Sequence, residues 1–162
     1  MIRTLILAGV SALGLSAAAF ADVKVQEIDV DADLTAINNP EAAAVFANLP
    51  ADLEAAISAR LAPDHLVTEG GSKINIDIDE VELASTWANL ADLSQSKLKG
   101  VVNVTSDTNN TKFDNYTLTI AYPDAVAFVP KGADAGELTK DAPVYYQALI
   151  NAFADYVVTH LK

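Results

Sequence analysis

Four carboxylates crowd the stretch KINIDIDEVEL, residues 73–83: Asp77, Asp79, Glu80 and Glu82. Acids at this density suit calcium coordination, a carboxyl pair for hydrolysis, or simply the wet face of a strand. The residues between them favour the last. Ile74, Ile76 and Ile78 alternate with Asn75, Asp77 and Asp79, the period of a strand whose successive side chains face opposite ways. Burying each isoleucine is worth about 2 kcal/mol, so the isoleucines turn inward and the acids outward. A calcium loop of the EF-hand kind needs glycine at its sixth position and glutamate at its twelfth. Counted from Asn75, those positions hold Glu80 and Thr86. Beyond Ile78 the apolar phase slips to Val81 and Leu83. That slip predicts a β-bulge or sharp bend at Asp79–Glu80, or a strand end that turns its other face to a second apolar layer.

The remaining reactive residues form no recognisable catalytic set. Asp29, Asp31 and Asp33 repeat the spaced-acid pattern without a following glycine and read as a solvated strand exit, with weak calcium binding as the minority reading. His65 and His160 lack the H-E-x-x-H spacing of a zinc site, and no G-x-S-x-G elbow offers a serine nucleophile. His160 falls in the last turn of a helix, where a cation complements the dipole. Gly70-Gly71-Ser72 precedes a strand and not a helix, which argues against a phosphate loop. The absence of cysteine excludes thiolate catalysis, zinc–thiolate and iron–sulfur centres, and a disulfide framework. No metal or other cofactor is expected. Trp87, Tyr116, Tyr122 and Tyr145 are the candidate ligand or partner contacts, because rings at strand and helix spacing can line an apolar pocket between sheet and helix. The competing reading is that these rings are plain core.

The elements that would position these residues follow from periodicity. Val23 and Val25 alternate with Lys24 and Gln26 in a first strand reaching about Val30. Asn39-Pro40-Glu41 supplies an N-cap, a proline for the first turn and an acid for the positive helix end. A second helix restarts at Pro50, with Leu53, Ile57 and Leu61 as its buried stripe and Pro63 as its stop. After the acidic strand, residues 84–96 read as a long connection whose Trp87, Leu90 and Leu93 tuck against the core. Lys97 to Thr105 and Lys112 to Tyr122 form a β-hairpin around a loop of Ser, Asp, Thr and Asn. Residues 124–141 read as a loop that can include a short strand at 125–129. Asp141 then caps a last helix along which Tyr145, Leu149, Phe153, Tyr156 and Val157 make a wide apolar stripe. The order β-α-α-β-β-β-α predicts an α+β fold: a mainly antiparallel sheet of about four strands with helices packed on one face.

The chain's two ends differ in kind. Met1-Ile2-Arg3, an uncharged apolar run and Ala19-Phe20-Ala21 match a secretory signal peptide over residues 1–21, leaving one α+β domain over 22–162. No later run is long enough to span a bilayer, so no membrane span is expected after cleavage. Together with the lack of cysteine, this implies a periplasmic or secreted protein. Without Arg3 the chain carries 9 basic and 22 acidic residues, a net charge of about −13. The lysines are scattered, so nucleic acid is not an expected partner.

The helix 51–61, the strand 73–83, the hairpin 97–122 and the helix 144–161 occur in an order that resembles small bacterial envelope domains. These are the N-terminal domain of the Tol-system periplasmic protein, the periplasmic domain of the curli secretion lipoprotein, and the lipoprotein of the lipopolysaccharide translocon. The resemblance is one of topology and carries over no functional residue. This chain also lacks the lipid-anchor cysteine of the two lipoproteins. The expectation is a non-enzymatic binding or envelope-assembly accessory domain whose partner is an envelope protein or an apolar small ligand. The alternatives are a secreted hydrolase using carboxylates such as Asp77 and Asp79, and a weak calcium binder.

Overall fold

A computed structural model describes residues 23–34, 37, 39–79, 96–109, 111, 113–133 and 143–161. The expected signal segment, the Trp87 connection, Glu80 and Asp141 therefore lie outside the described residues. The described residues form, in chain order, β1 (Val25–Asp31), α1 (Pro40–Val45), α2 (Leu49–Arg60), β2 (Ser72–Ile78), β3 (Lys97–Ser106), β4 (Asp114–Ala121), α3 (Tyr122–Val126) and α4 (Pro143–His160). The fold is α+β, with one four-stranded sheet in the order β1-β2-β3-β4. Two of its three pairings, β2–β3 and β3–β4, are antiparallel, while β1 and β2 run parallel. The parallel pair follows from α1 and α2, which carry the chain back across the face before β2 begins; strands joined by a helical crossover run the same way. Among the described helices, none is long and apolar enough to cross a membrane.

Alternation sorts the sheet into two faces. Ile74, Ile76, Ile78, Leu98, Val102, Val104, Leu118 and Ile120 are all buried on the helix side. Leu49, Leu53 and Ile57 of α2 meet them from above, as does α4 through Leu149, Phe153 and Val157. Helix α4 also buries Ala148, Ile150, Ala152 and Ala154 because it packs against α2 and α3 as well as the sheet. Asn39 caps α1 as its type predicts, its Oδ1 accepting from the amides of Glu41 and Ala42 at 2.9 and 3.1 Å.

One local expectation needs revision, and the bulge or bend expected at Asp79–Glu80 reaches outside the described residues. Residues 122–126 form a helix, not a strand beginning at Ala125. Pro123 fits a first helical turn, and the Asp124 carboxylate accepts from the Ala121 amide at 3.0 Å, which closes that turn. The irregularity seen in the described sheet is in β1, where the register with β2 shifts between Val25 and Glu27. Its cause was readable: buried Val25 is odd in phase and buried Val30 even. One extra residue reconciles the two.

That bulge depends on Gly71. A Cβ there would lie 2.7 Å from the Gln26 amide nitrogen and 2.7 Å from Val67 Cγ2. Backbone cannot yield as a flexible side chain can, so Gly71→Ala is expected to destabilise the protein by about 1–3 kcal/mol in urea denaturation. Gly70 fails differently. Its Cβ position is open but its φ is +73°, so alanine there meets only a backbone penalty.

Candidate functional site

The outer sheet face carries Asp77 and Asp79 of the opening motif. Asp29, Asn75, Asn103 and Asn115 lie in register across all four strands. Asn75 Nδ2 donates to Asp29 at 3.4 Å, and Asn115 Nδ2 donates to Asn103 Oδ1. One row further, Asp31 pairs with Asp77. Lys73 reaches Glu27 and Asp107, each at 3.5 Å; Asp107 first, then Glu27, holds its ammonium above the ordinary range.

Asp77 and Asp79, the carboxylates of the hydrolase alternative, both stand on this face. Asp77 is exposed, and the Asp79 carboxylate accepts from Lys99 Nζ at 2.8 Å. Neither borders a described cleft. Among the described residues no three acids or histidines gather closely enough to hold a metal ion. Extension explains why Asp29 and Asp31 do not: alternate residues of a strand stand about 6–7 Å apart.

A concave site forms instead at one end of the sheet, a half-open cleft of about 290 Å³. The start of β2 contributes Ser72, itself buried, and the end of β3 contributes Val104. Val23, just before β1, adds to the apolar wall, and the C-terminus of α4 contributes His160 and Leu161. Thr111, Phe113 and Asp114 come from the approach to β4. Asn109 shapes that approach, its Oδ1 accepting from the Thr111 amide at 3.0 Å and the Thr111 hydroxyl at 2.6 Å. Phe113 is 65% exposed, the most exposed large hydrophobic residue described.

His160 is held by its own helix. Its Nδ1 lies 2.7 Å from the Tyr156 carbonyl oxygen, which can only accept, so Nδ1 carries the hydrogen. The imidazole stacks on Tyr116 at 5.3 Å between ring centres and on Tyr156 at 6.5 Å. The Tyr116 hydroxyl is buried with no hydrogen-bond partner among the described residues. Burial, reinforced by the nearby Asp114 carboxylate, pushes its pKa up to about 12. Asp114 itself accepts from the Asn115 amide at 2.9 Å.

The four ring candidates thus separate. Tyr116 lies beneath the histidine that lines the cleft. Tyr122 and Tyr145 pack together at 5.9 Å at the other end of the sheet, where Tyr145 is buried in the core. Trp87 is outside the described residues. Sequence reasoning passed over Phe113 and Asp114, although a signal existed. In β4 the even positions Tyr116, Leu118 and Ile120 face inward, so Phe113 is apolar in the outward phase and Asp114 acidic in the inward one.

A second cleft of about 260 Å³ lies between the ends of α2 and α4. Its cation is already engaged: Arg60 donates to the Ala56 carbonyl and Asn151 Oδ1, each at 2.9 Å, and lies 3.8 Å from Asp155. That arrangement ties the two helices together. No family model, curated protein or solved structure matches the chain.

Proposed function

We propose that the protein is a non-enzymatic binding domain, exported to the periplasm, whose contact site is the cleft between the start of β4 and the end of α4. The observation that carries this reading is Phe113, 65% exposed on the rim of a cleft whose lining mixes polar and apolar groups. Isolated surface apolar residues are ordinary. This one stands with Val23, Val104 and Leu161 at a concavity large enough for a small ligand or an inserted side chain. The export pattern of residues 1–21 and the topological resemblance to envelope accessory domains support an envelope role.

The test compares wild type with Phe113→Ala after export and gentle extraction. Native mass spectrometry and co-purification are expected to recover a small molecule or an envelope protein with wild type. Retention should fall roughly tenfold in Phe113→Ala, as for a truncated aromatic anchor. The variant's stability should change by less than about 0.5 kcal/mol, because its side chain is exposed. A wild-type protein that retains neither kind of partner overturns the reading.

A further inference from the structure

We infer that the cleft at the start of β4 takes a small organic cation, an ammonium carried on an apolar or aromatic body. The inference rests on the binding reading above and names the class of ligand. It draws on three features of the site: its rings, its carboxylate and the charge around it.

The rings come first. His160 and Phe113 both line the cleft; His160 is stacked with Tyr116 and Tyr156, and Phe113, 65% exposed, offers the free aromatic face. Aromatic faces carry negative quadrupole charge and attract ammonium groups, most strongly where water is displaced. Phe113 supplies the exposed apolar surface for the ligand's body, above a floor of buried Val23, Val104 and Leu161.

The carboxylate sets the sign. Asp114 lines the cleft, and among the described residues no basic side chain pairs with it. One of its oxygens accepts from the Asn115 amide, which leaves acceptor capacity on a group with about four lone-pair sites. A neutral ligand filling the cleft would strip water from this carboxylate without replacing its partner, which is costly. An anion would add repulsion. A cation satisfies Asp114 and the face of Phe113 together. The chain's formal net charge of −12 draws cations toward the protein at longer range.

Three probes of matched size separate the possibilities: 2-phenylethylammonium, 2-phenylethanol and 3-phenylpropionate, each titrated calorimetrically into the full exported chain. The ammonium is expected to bind roughly tenfold more tightly than the alcohol, and the propionate to give no heat. Asp114→Asn should remove that roughly tenfold preference, weakening the ammonium while the alcohol binds as tightly or more tightly. Phe113→Ala should weaken ammonium and alcohol alike. Added salt should weaken the ammonium alone. If the alcohol binds as well as the ammonium, the cation assignment is overturned and the cleft remains a binding site. If no probe binds to a chain that retains its native circular dichroism, the cation assignment is overturned, while the binding reading is decided by the retention test above. Ammonium binding that Asp114→Asn leaves intact also overturns the assignment.

Discussion

Phe153→Ala is expected to cost about 3–5 kcal/mol of folding stability, the range for emptying a tightly packed aromatic position. Phe153 is fully buried in the middle of α4. It lies over Gly100 of β3, where a Cβ would stand 3.4 Å from its ring edge. The missing side chain at Gly100 lets the ring approach the sheet. Neighbouring Leu149, Ala152 and Val157 are also buried, so they have little freedom to collapse into the space left behind. For a domain of this size the loss is a large share of the total stability of about 5–15 kcal/mol. Urea denaturation should show a lower midpoint with an unchanged slope. A loss below about 1 kcal/mol would mean that α4 does not pack on the sheet through this face. Phe113→Ala is the matched control, since the same chemical change at an exposed site leaves the midpoint almost where it was.

The second large effect is alkaline. Burial holds the hydroxyls of Tyr116, Tyr145 and Tyr146 above the ordinary phenol range. Tyr116 reaches about 12. Tyr146 is raised by burial and by donating to Asp52 Oδ2 at 2.7 Å, a bond that only the protonated phenol can make. Each group holds its proton more tightly folded than unfolded, so its contribution is fully present below about pH 10 and is lost as pH rises through the folded value. Stability should therefore fall between about pH 10 and pH 12, by at most about 1.4 kcal/mol per pH unit for each phenol. The partly exposed Tyr116 and Tyr146 contribute less than this because water screens them. Urea midpoints at pH 8, 10, 11 and 12 measure the slope, and two variants assign it. Tyr146→Phe should cost about 1 kcal/mol at pH 8 through loss of the Asp52 bond, and flatten the alkaline slope. Tyr116→Phe should flatten it too, yet leave pH 8 stability unchanged or about 1 kcal/mol higher, because the hydroxyl removed is buried and unpartnered among the described residues. A wild-type midpoint that does not move between pH 8 and pH 12 would show that these phenols are not buried as described.

Periodicity made most of the architecture legible. Ile74, Ile76 and Ile78 marked the inner face of β2, and Leu53 and Ile57 marked that of α2, because burial rewards one face of an element and the repeat reveals which. Asn39 before Pro40 located the start of α1 for an equally local reason. Local signals also misled where two were balanced. Ala125 to Val129 is rich in apolar residues that suit either state, and the bond from the Ala121 amide to Asp124 closes a helix over 122–126 that takes in Ala125 and Val126. The parallel pairing of β1 with β2 was outside the reach of periodicity, since alternation identifies a strand but not its neighbour.

The candidate site was less legible than the fold, because it is assembled from residues far apart in the chain. Asp77 and Asp79 drew notice by density, yet an extended backbone spreads them over an open face. Ser72, Asp114 and His160 drew none as a set, and the ends of β2, β4 and α4 bring them to one cleft. By itself, then, the sequence determined every described element but α3, the inward residues of the strands and longer helices, the absence of thiol chemistry and the acidic field. Tertiary structure decided which strand ends meet which helix end, and so which carboxylate faces a cleft. The physical reason is range. Burial periodicity acts within one element, whereas a binding site is a coincidence between elements whose positions depend on the whole core.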